Sequence, residues 1–374
     1  MFTQENKLFS KKVMLVFGTR PEAIKMCPIV IELQKRKANI VVCVTGQHKE
    51  MLQQVLEVFR VKVDYNLEIM QANQNLFDVT NLVMNGTKEI LEKEKPDIVL
   101  VHGDTSTAYA TALSCFYLRI PVAHIEAGLR TYDMLSPYPE EFNRQSIDLI
   151  SSLYFAPTNR ARENLLKEGK ADKRIFVTGN TVIDALKTTI SKEYHHDYFD
   201  WIGKNRLILL TVHRRENLGN PMYHIFQALK QIAQEYSDVR IIYPVHKNPR
   251  VREIAYDVFD KIENVLLIEP LDVIDFHNFM NKSYLVVTDS GGIQEEAPSL
   301  GKPVIVVRNT TERPEGIEAG TLKLVGTQEK AIYKNVKELL DNKKAYQNMS
   351  NIENPYGDGN ASKRIVDILE TGKW

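Results

Sequence analysis

V-F-G-T-R-P-E-A-I-K, Val16 to Lys25, decides how this chain is read. Val13–Gly18 is an apolar run, and Pro21–Lys37 carries apolar residues at helical spacing, so the stretch reads as a strand, a one-glycine turn and a helix. The turn holds Arg20, Glu22 and Lys25 but no second glycine. It is therefore neither a dinucleotide fingerprint nor a P-loop, and its charges ask for a different anion or substrate.

The same alternation continues outward. Ile40–Val44, Asp97–Val101, Pro121–Ile125, Leu153–Ala156 and Arg174–Val177 read as strands, with helices at His48–Phe59, Leu76–Lys93, Thr105–Leu118 and Glu140–Ile150 between them. After a helix at Thr181–Lys192 and a mixed stretch, Glu193–Lys204, the pattern restarts. Strands are expected at Arg206–Val212, Val239–Val245, Asn264–Ile268, Tyr284–Thr288 and Pro303–Val307, with helices at Pro221–Tyr236, Asp272–Asn281 and Gly292–Leu300. Short apolar strands alternating with amphipathic helices mean parallel, doubly wound sheets. The fold class is α/β, with two Rossmann-like domains divided near residue 180, spanning 1–180 and 181–358. Ligands of such sheets bind beyond the carboxyl ends of the strands, so the two halves are expected to face an interdomain cleft.

Composition narrows the function. The 374 residues are 43% hydrophobic and 26% charged, and Lys+Arg balances Asp+Glu at 48 each. That balance argues against a nucleic-acid or membrane-surface partner. Cys27, Cys43 and Cys115 lie in apolar runs and read as buried, reduced thiols. The polar start has no apolar signal core, and no long apolar run follows, so a cytoplasmic protein is expected. No Cys/His cluster has zinc spacing, and no G-x-S-x-G elbow is present.

The chemistry-bearing stretches all fall at expected strand ends. In the second half, T-D-S-G-G-I-Q-E-E-A (Thr288–Ala297) puts Ser290, Gly291 and Gly292 at a helix start, where bare backbone N–H groups accept phosphate oxygens. Glu296, one turn inside, suits a ribose diol; a plain Ser-capped helix would carry the same letters. T-V-H-R-R-E-N adds His213, as a phosphate partner or a structural histidine, and T-E-R-P-E adds Arg313. His246 and Lys247 lie at another strand end. In the first half, H-G-D-T-S-T supplies Asp104, with Thr105 as a helix cap, and H-I-E-A-G-L-R supplies Glu126. P-E-E-F-N-R supplies Glu140 and Arg144, four apart and so on one helical face, as site residues or as a surface ion pair. Acids in one half and an anion cradle in the other suit a sugar nucleotide.

Taken with T-G-Q-H, S-G-G-I-Q-E-E-A-P-S-L-G-K-P and N-P-Y-G-D-G-N-A-S, these stretches run in one order from residue 18 to 362. In that order the chain resembles the bacterial non-hydrolysing UDP-N-acetylglucosamine 2-epimerases. The resemblance implies a GT-B-like fold, a C-terminal helix (359–374) that returns to the first domain, and a homodimer. It implies interconversion of UDP-GlcNAc and UDP-ManNAc without an external redox cofactor, for bacterial surface polysaccharide. It also implies a route. The C2 proton is hardly acidic, so UDP first leaves C1, 2-acetamidoglucal forms, and UDP adds back. On this reading Asp104, Glu126 and Glu140 are the acid/base set. Arg20, Lys25, Arg144, His213, Ser290 and Arg313 hold the diphosphate, and Glu296 takes the ribose. Gln47 and His48 are expected to touch a second, activating UDP-GlcNAc. A hydrolysing epimerase, a GT-B glycosyltransferase and a catalytically dead UDP-sugar sensor share much of this pattern and stay open at this point.

Overall fold

The central strands of the first sheet are short runs of buried, mostly apolar residues, as a sheet covered by helices on both faces requires. The computed structural model describes residues 11–46, 49–71 and 74–372. It divides into two compact units: unit 1 holds residues up to Ala185 together with those from Tyr356 onward, and unit 2 holds Leu186–Pro355.

Unit 1 contains β1 (Lys12–Phe17), β2 (Asn39–Val44), β3 (Tyr65–Asn66), β4 (Ile98–His102), β5 (Val122–Ile125), β6 (Leu153–Ala156) and β7 (Ile175–Val177). They form one parallel sheet in the order β3-β2-β1-β4-β5-β6-β7. Chain direction across the sheet reverses between β1 and β4, which pair from Val13↔Ile98 to Leu15↔Leu100. The turns after these two strands therefore open side by side, which is where doubly wound sheets bind ligands. Met14, Val16, Cys43, Val99 and Val101 form one face of the core with helix Ser106–Tyr117. The C-terminal helix, Ala361–Glu370, packs on helix Arg20–Lys35, and Asp184 accepts its first N–H groups from Ala361 and Ser362.

Unit 2 repeats the plan. Its strands are β8 (Arg206–Thr211), β9 (Val239–Pro244), β10 (Val265–Ile268), β11 (Leu285–Thr288), β12 (Val304–Val306) and β13 (Leu322–Leu324), all parallel, in the order β10-β9-β8-β11-β12-β13. The reversal falls between β8 and β11, whose last residues, Thr211 and Thr288, are in register and share a 2.6 Å hydroxyl contact.

Several elements lie outside the expected pattern. Helices Asn159–Lys167 and Pro249–Phe259 occupy segments with no expected element, and β3 has two residues, too few to show a period. Unit 2 also continues past Val307, with β13 and helices Pro314–Ala319, Glu329–Asp341 and Lys343–Ser350. The helix expected over Gly292–Leu300 is an α-turn, Gly291–Glu296, running into a 3-10 turn at Ala297–Leu300. All three cysteines are buried, and burial pushes the Cys43 thiol up to about 12. No helix among the described residues is long and apolar enough to cross a membrane.

Candidate active site

The turn after β1 is fixed by its own letters. Thr19 caps helix Arg20–Lys35, and Glu22 answers from the third helical position, accepting from the N–H groups of Gly18 (3.1 Å) and Thr19 (2.8 Å). Glu22 also accepts from the Thr105 hydroxyl at 2.8 Å, which ties the β1 turn to the β4 turn. Thr105 itself caps helix Ser106–Tyr117 through Ala108 N–H. Gly18 is required by space. A Cβ there would stand 2.1 Å from Thr45 Oγ1 and 2.6 Å from Thr107 Oγ1.

Lys25, one turn into the helix, points back at β5 and pairs with Glu126. Glu126 follows that strand at φ 66°, a left-handed conformation that turns it off the sheet rather than continuing the period-2 pattern of His124. Its Oε2 also accepts from Asn180 Nδ2 at 2.8 Å and lies 3.5 Å from His102 Nε2. Burial opposes its charge, but Lys25 and His102 outweigh burial and hold the carboxyl well below the usual carboxylate range. The Glu126 carboxyl is thus ionised near neutral pH.

Asp104, in the next turn, pairs with Arg144. Asn143 Nδ2 donates to the Asp104 carbonyl at 2.8 Å, so helix Glu140–Ile150 grips this residue twice. The helical pairing differs from the expectation. Arg144 meets Glu141 at 3.3 Å, one residue on from Glu140. The Glu141 carboxylate is fully buried and accepts from the N–H groups of Thr131 and Tyr132, which anchors the preceding loop. The Glu140 side chain makes no hydrogen bond or ion pair among the described residues and is half-buried at the helix start; the Arg20 side chain is likewise unpaired among them and half-buried.

Behind these turns lies a buried charge network. His124 Nδ1 meets Asp148 at 2.6 Å, and its Nε2 donates to the Gly103 carbonyl at 2.7 Å. Asp148 also accepts from Gly128 N–H and pairs with Arg130 at 2.8 Å. Burial opposes the Asp148 charge, yet His124 and Arg130 hold its carboxyl below its usual value. The loops carrying Asp104 and Glu126 are braced from one point.

In unit 2, Asp289 has the bracing role. Fully buried after β11, it accepts from His213 N–H (3.0 Å), Arg214 N–H (2.9 Å) and Asn217 Nδ2 (2.9 Å). His213 stays 42% exposed, stacked on His246 with ring centroids 5.6 Å apart. Desolvation pushes its imidazole below the usual value, opposed by Asp289 and reinforced by His246. Arg313 pairs with Glu295 at 2.9 Å and lies over Gly291, where a Cβ would meet its guanidinium at 3.3 Å. Glu296 faces His277 at 3.4 Å. Ser290 stands at the helix start with no side-chain cap bond, and its N–H donates to Thr288 Oγ1. Lys247 is exposed in the turn after β9. Gln47 and His48 lie outside the described residues.

The structure thus gathers Lys25, Glu126, Asp104, Arg144 and Glu140 within unit 1, and His213, Ser290, Gly291, Gly292, Glu296 and Arg313 within unit 2. Sequence reading did not find Asn180, Glu141, Asp148 or Asp289. A polar letter inside the apolar positions of a helix (Glu141, Asp148) was the available signal for two of them.

Two doubly wound parallel units in series, each with its polar groups at a sheet reversal, define an α/β protein of GT-B-like fold. Solved proteins share it. A Listeria monocytogenes protein is similar at TM-score 0.92 and 53% identity, with 96% of each chain covered. The UDP-GlcNAc 2-epimerase of Neisseria meningitidis, solved bound to UDP-GlcNAc, is similar at TM-score 0.88 and 47% identity, with 96% of this chain and 100% of that one covered. A family model described as UDP-N-acetylglucosamine 2-epimerase matches residues 31–370. The UDP-N-acetylglucosamine 2-epimerase of Bacillus subtilis is 56% identical over 359 residues, covering 96% of this chain and 94% of its own. The chain belongs to the UDP-N-acetylglucosamine 2-epimerase family.

Proposed function

We propose that the protein interconverts UDP-GlcNAc and UDP-ManNAc by the non-hydrolysing route, eliminating UDP to give 2-acetamidoglucal and adding it back with C2 inverted. Family membership supports the substrate. The observation that carries the chemistry is the set of carboxylates at the β1/β4/β5 end of unit 1: Glu126 held ionised by Lys25, Asp104 paired with Arg144, and Glu140 open. As the C1–O bond breaks, positive charge grows at C1 and loosens the C2–H bond. A weak carboxylate base then suffices, and a second one returns the proton on the other face. Arg20, Lys25, Arg144, His213, Ser290 and Arg313 stabilise the departing diphosphate, while the open N–H groups at Gly291–Gly292 and the Glu296 carboxylate hold phosphate and ribose. Gln47 and His48 take a second UDP-GlcNAc as activator. The enzyme acts as a cytoplasmic homodimer and supplies ManNAc for surface polysaccharide. Proton NMR of the protein with UDP-GlcNAc in heavy water tests the reaction. UDP-ManNAc deuterated at C2 is expected; free ManNAc with UDP would move the protein to the hydrolysing reaction.

A further inference from the structure

Asn180 is 3% exposed and stands where the chain is about to leave unit 1. Each of its groups has a separate partner. The backbone N–H donates to the Tyr356 carbonyl at 2.7 Å, on the segment by which the chain re-enters the unit. The side-chain Oδ1 accepts from Val182 N–H at 3.1 Å, capping helix Thr181–Thr189. The side-chain Nδ2 donates to Glu126 Oε2 at 2.8 Å. The neighbouring Gly179 and Gly357 bring the two passing segments so close that a Cβ on either would lie within 3.3 Å of the other's Cα.

At Glu126 the two oxygens are unequal. Oε2 takes Lys25, Asn180 and the approach of His102, whereas Oε1 has no hydrogen bond among the described residues and lies towards Gly103. We infer that Asn180 is a positioning residue for the reaction, fixing Oε2 through its amide so that Oε1 of Glu126 is the oxygen presented to the substrate proton. This rests on the acid/base role proposed for Glu126. An amide donor does this without adding charge, and it leaves Lys25 (helix Arg20–Lys35) and His102 (β4) as the titratable groups facing the carboxylate.

Two substitutions separate this role from the helix cap. Asn180→Asp keeps an oxygen for Val182 N–H but removes the donor to Glu126 and sets a carboxylate against it. Asn180→Ala removes cap and donor together. With the full-length chain and UDP-GlcNAc, kcat of Asn180→Asp should fall about 10- to 100-fold with KM nearly constant, since a hydrogen bond to a charged group is lost. The acid limb of its pH–rate profile should move up by about one pH unit, because a like charge favours the protonated carboxyl. Asn180→Ala should keep a higher kcat than Asn180→Asp while having the lower melting temperature. A merely structural residue gives the opposite order, with Asp milder than Ala in both readouts and the wild-type acid limb in each. That result overturns the inference while leaving the proposed reaction intact. Wild-type enzyme that puts no deuterium at C2 overturns both.

Discussion

Both units end two strands side by side at a sheet reversal, β1 with β4 and β8 with β11, yet their charged groups there are arranged differently. In unit 1 the groups in the turns are carboxylates, each held by a cation: Glu126 by Lys25, Asp104 by Arg144. In unit 2 the buried acids, Asp289 and Glu295, hold backbone N–H groups and Arg313 in place. Beside them stand His213 and the backbone N–H groups of Gly291 and Gly292 at a helix start. On the proposed reading, the same topology carries the proton-transfer carboxylates in one unit and the nucleotide-holding groups in the other. The difference comes from a few letters at strand ends rather than from the fold.

Substitutions should therefore act differently in the two units. The largest effect is expected from Asp104→Asn, which should lower turnover by about 10²–10⁴-fold, the usual worth of a general acid or base, with UDP binding little changed in calorimetry. Asp289→Asn replaces an acceptor oxygen in a fully buried group that serves His213, Arg214 and Asn217. It should weaken UDP binding by about 10-fold and cost about 1–3 kcal/mol in urea unfolding, the penalty for unpaired buried donors. Equal loss of turnover at unchanged UDP affinity would erase the contrast between the units.

The glycines sharpen it further. Gly18→Ala forces a methyl against Thr45 and Thr107 and should cost about 1–3 kcal/mol. Gly292→Ala meets only Glu296 Oε1 at 3.4 Å, so its unfolding free energy should stay within about 0.5 kcal/mol of wild type or rise, since Ala favours helix over Gly. The smallest effect concerns acid stability in unit 2. Arg308 pairs with Glu312 and with Glu216. Burial opposes the charge of Glu312, but Arg308 lowers its carboxyl from 4.5 to about 2. A depressed carboxylate stabilises the fold fully above its unfolded value and loses that contribution as pH falls towards its folded value. The urea midpoints of wild type and Arg308→Met should therefore differ most above pH 4.5 and converge as pH drops towards 2.

Much of this was legible in the letters because parallel strands are continuous apolar runs and the turns after them are short. G-T-R-P-E announced a strand, a one-glycine turn and a helix, and most chemical stretches lie at strand ends, while P-E-E-F-N-R opens helix Glu140–Ile150. Elements without a period were harder. β3 has two residues and β13 three, so neither can alternate visibly. Helix Glu329–Asp341, by contrast, carries Ile332, Val336, Leu339 and Leu340 at helical spacing, a signal present in the sequence. Site partners were the least legible. Asn180 lies 54 positions from Glu126, and a single polar letter at a helix start reads as an ordinary cap. Glu141 rather than Glu140 meets Arg144 because helix Glu140–Ile150 is rotated so that Glu141 and Asp148 point inward, and only burial distinguishes the two acids.

The division of labour between the units is tested most directly by one variant, Glu126→Gln, measured for UDP affinity by calorimetry and for C2 deuterium incorporation in the same preparation. UDP binding is expected within about threefold of wild type, with a loss of exchange of at least about 100-fold. Exchange at the wild-type rate, or UDP binding lost along with it, would contradict the assignment of proton chemistry to unit 1 and nucleotide binding to unit 2.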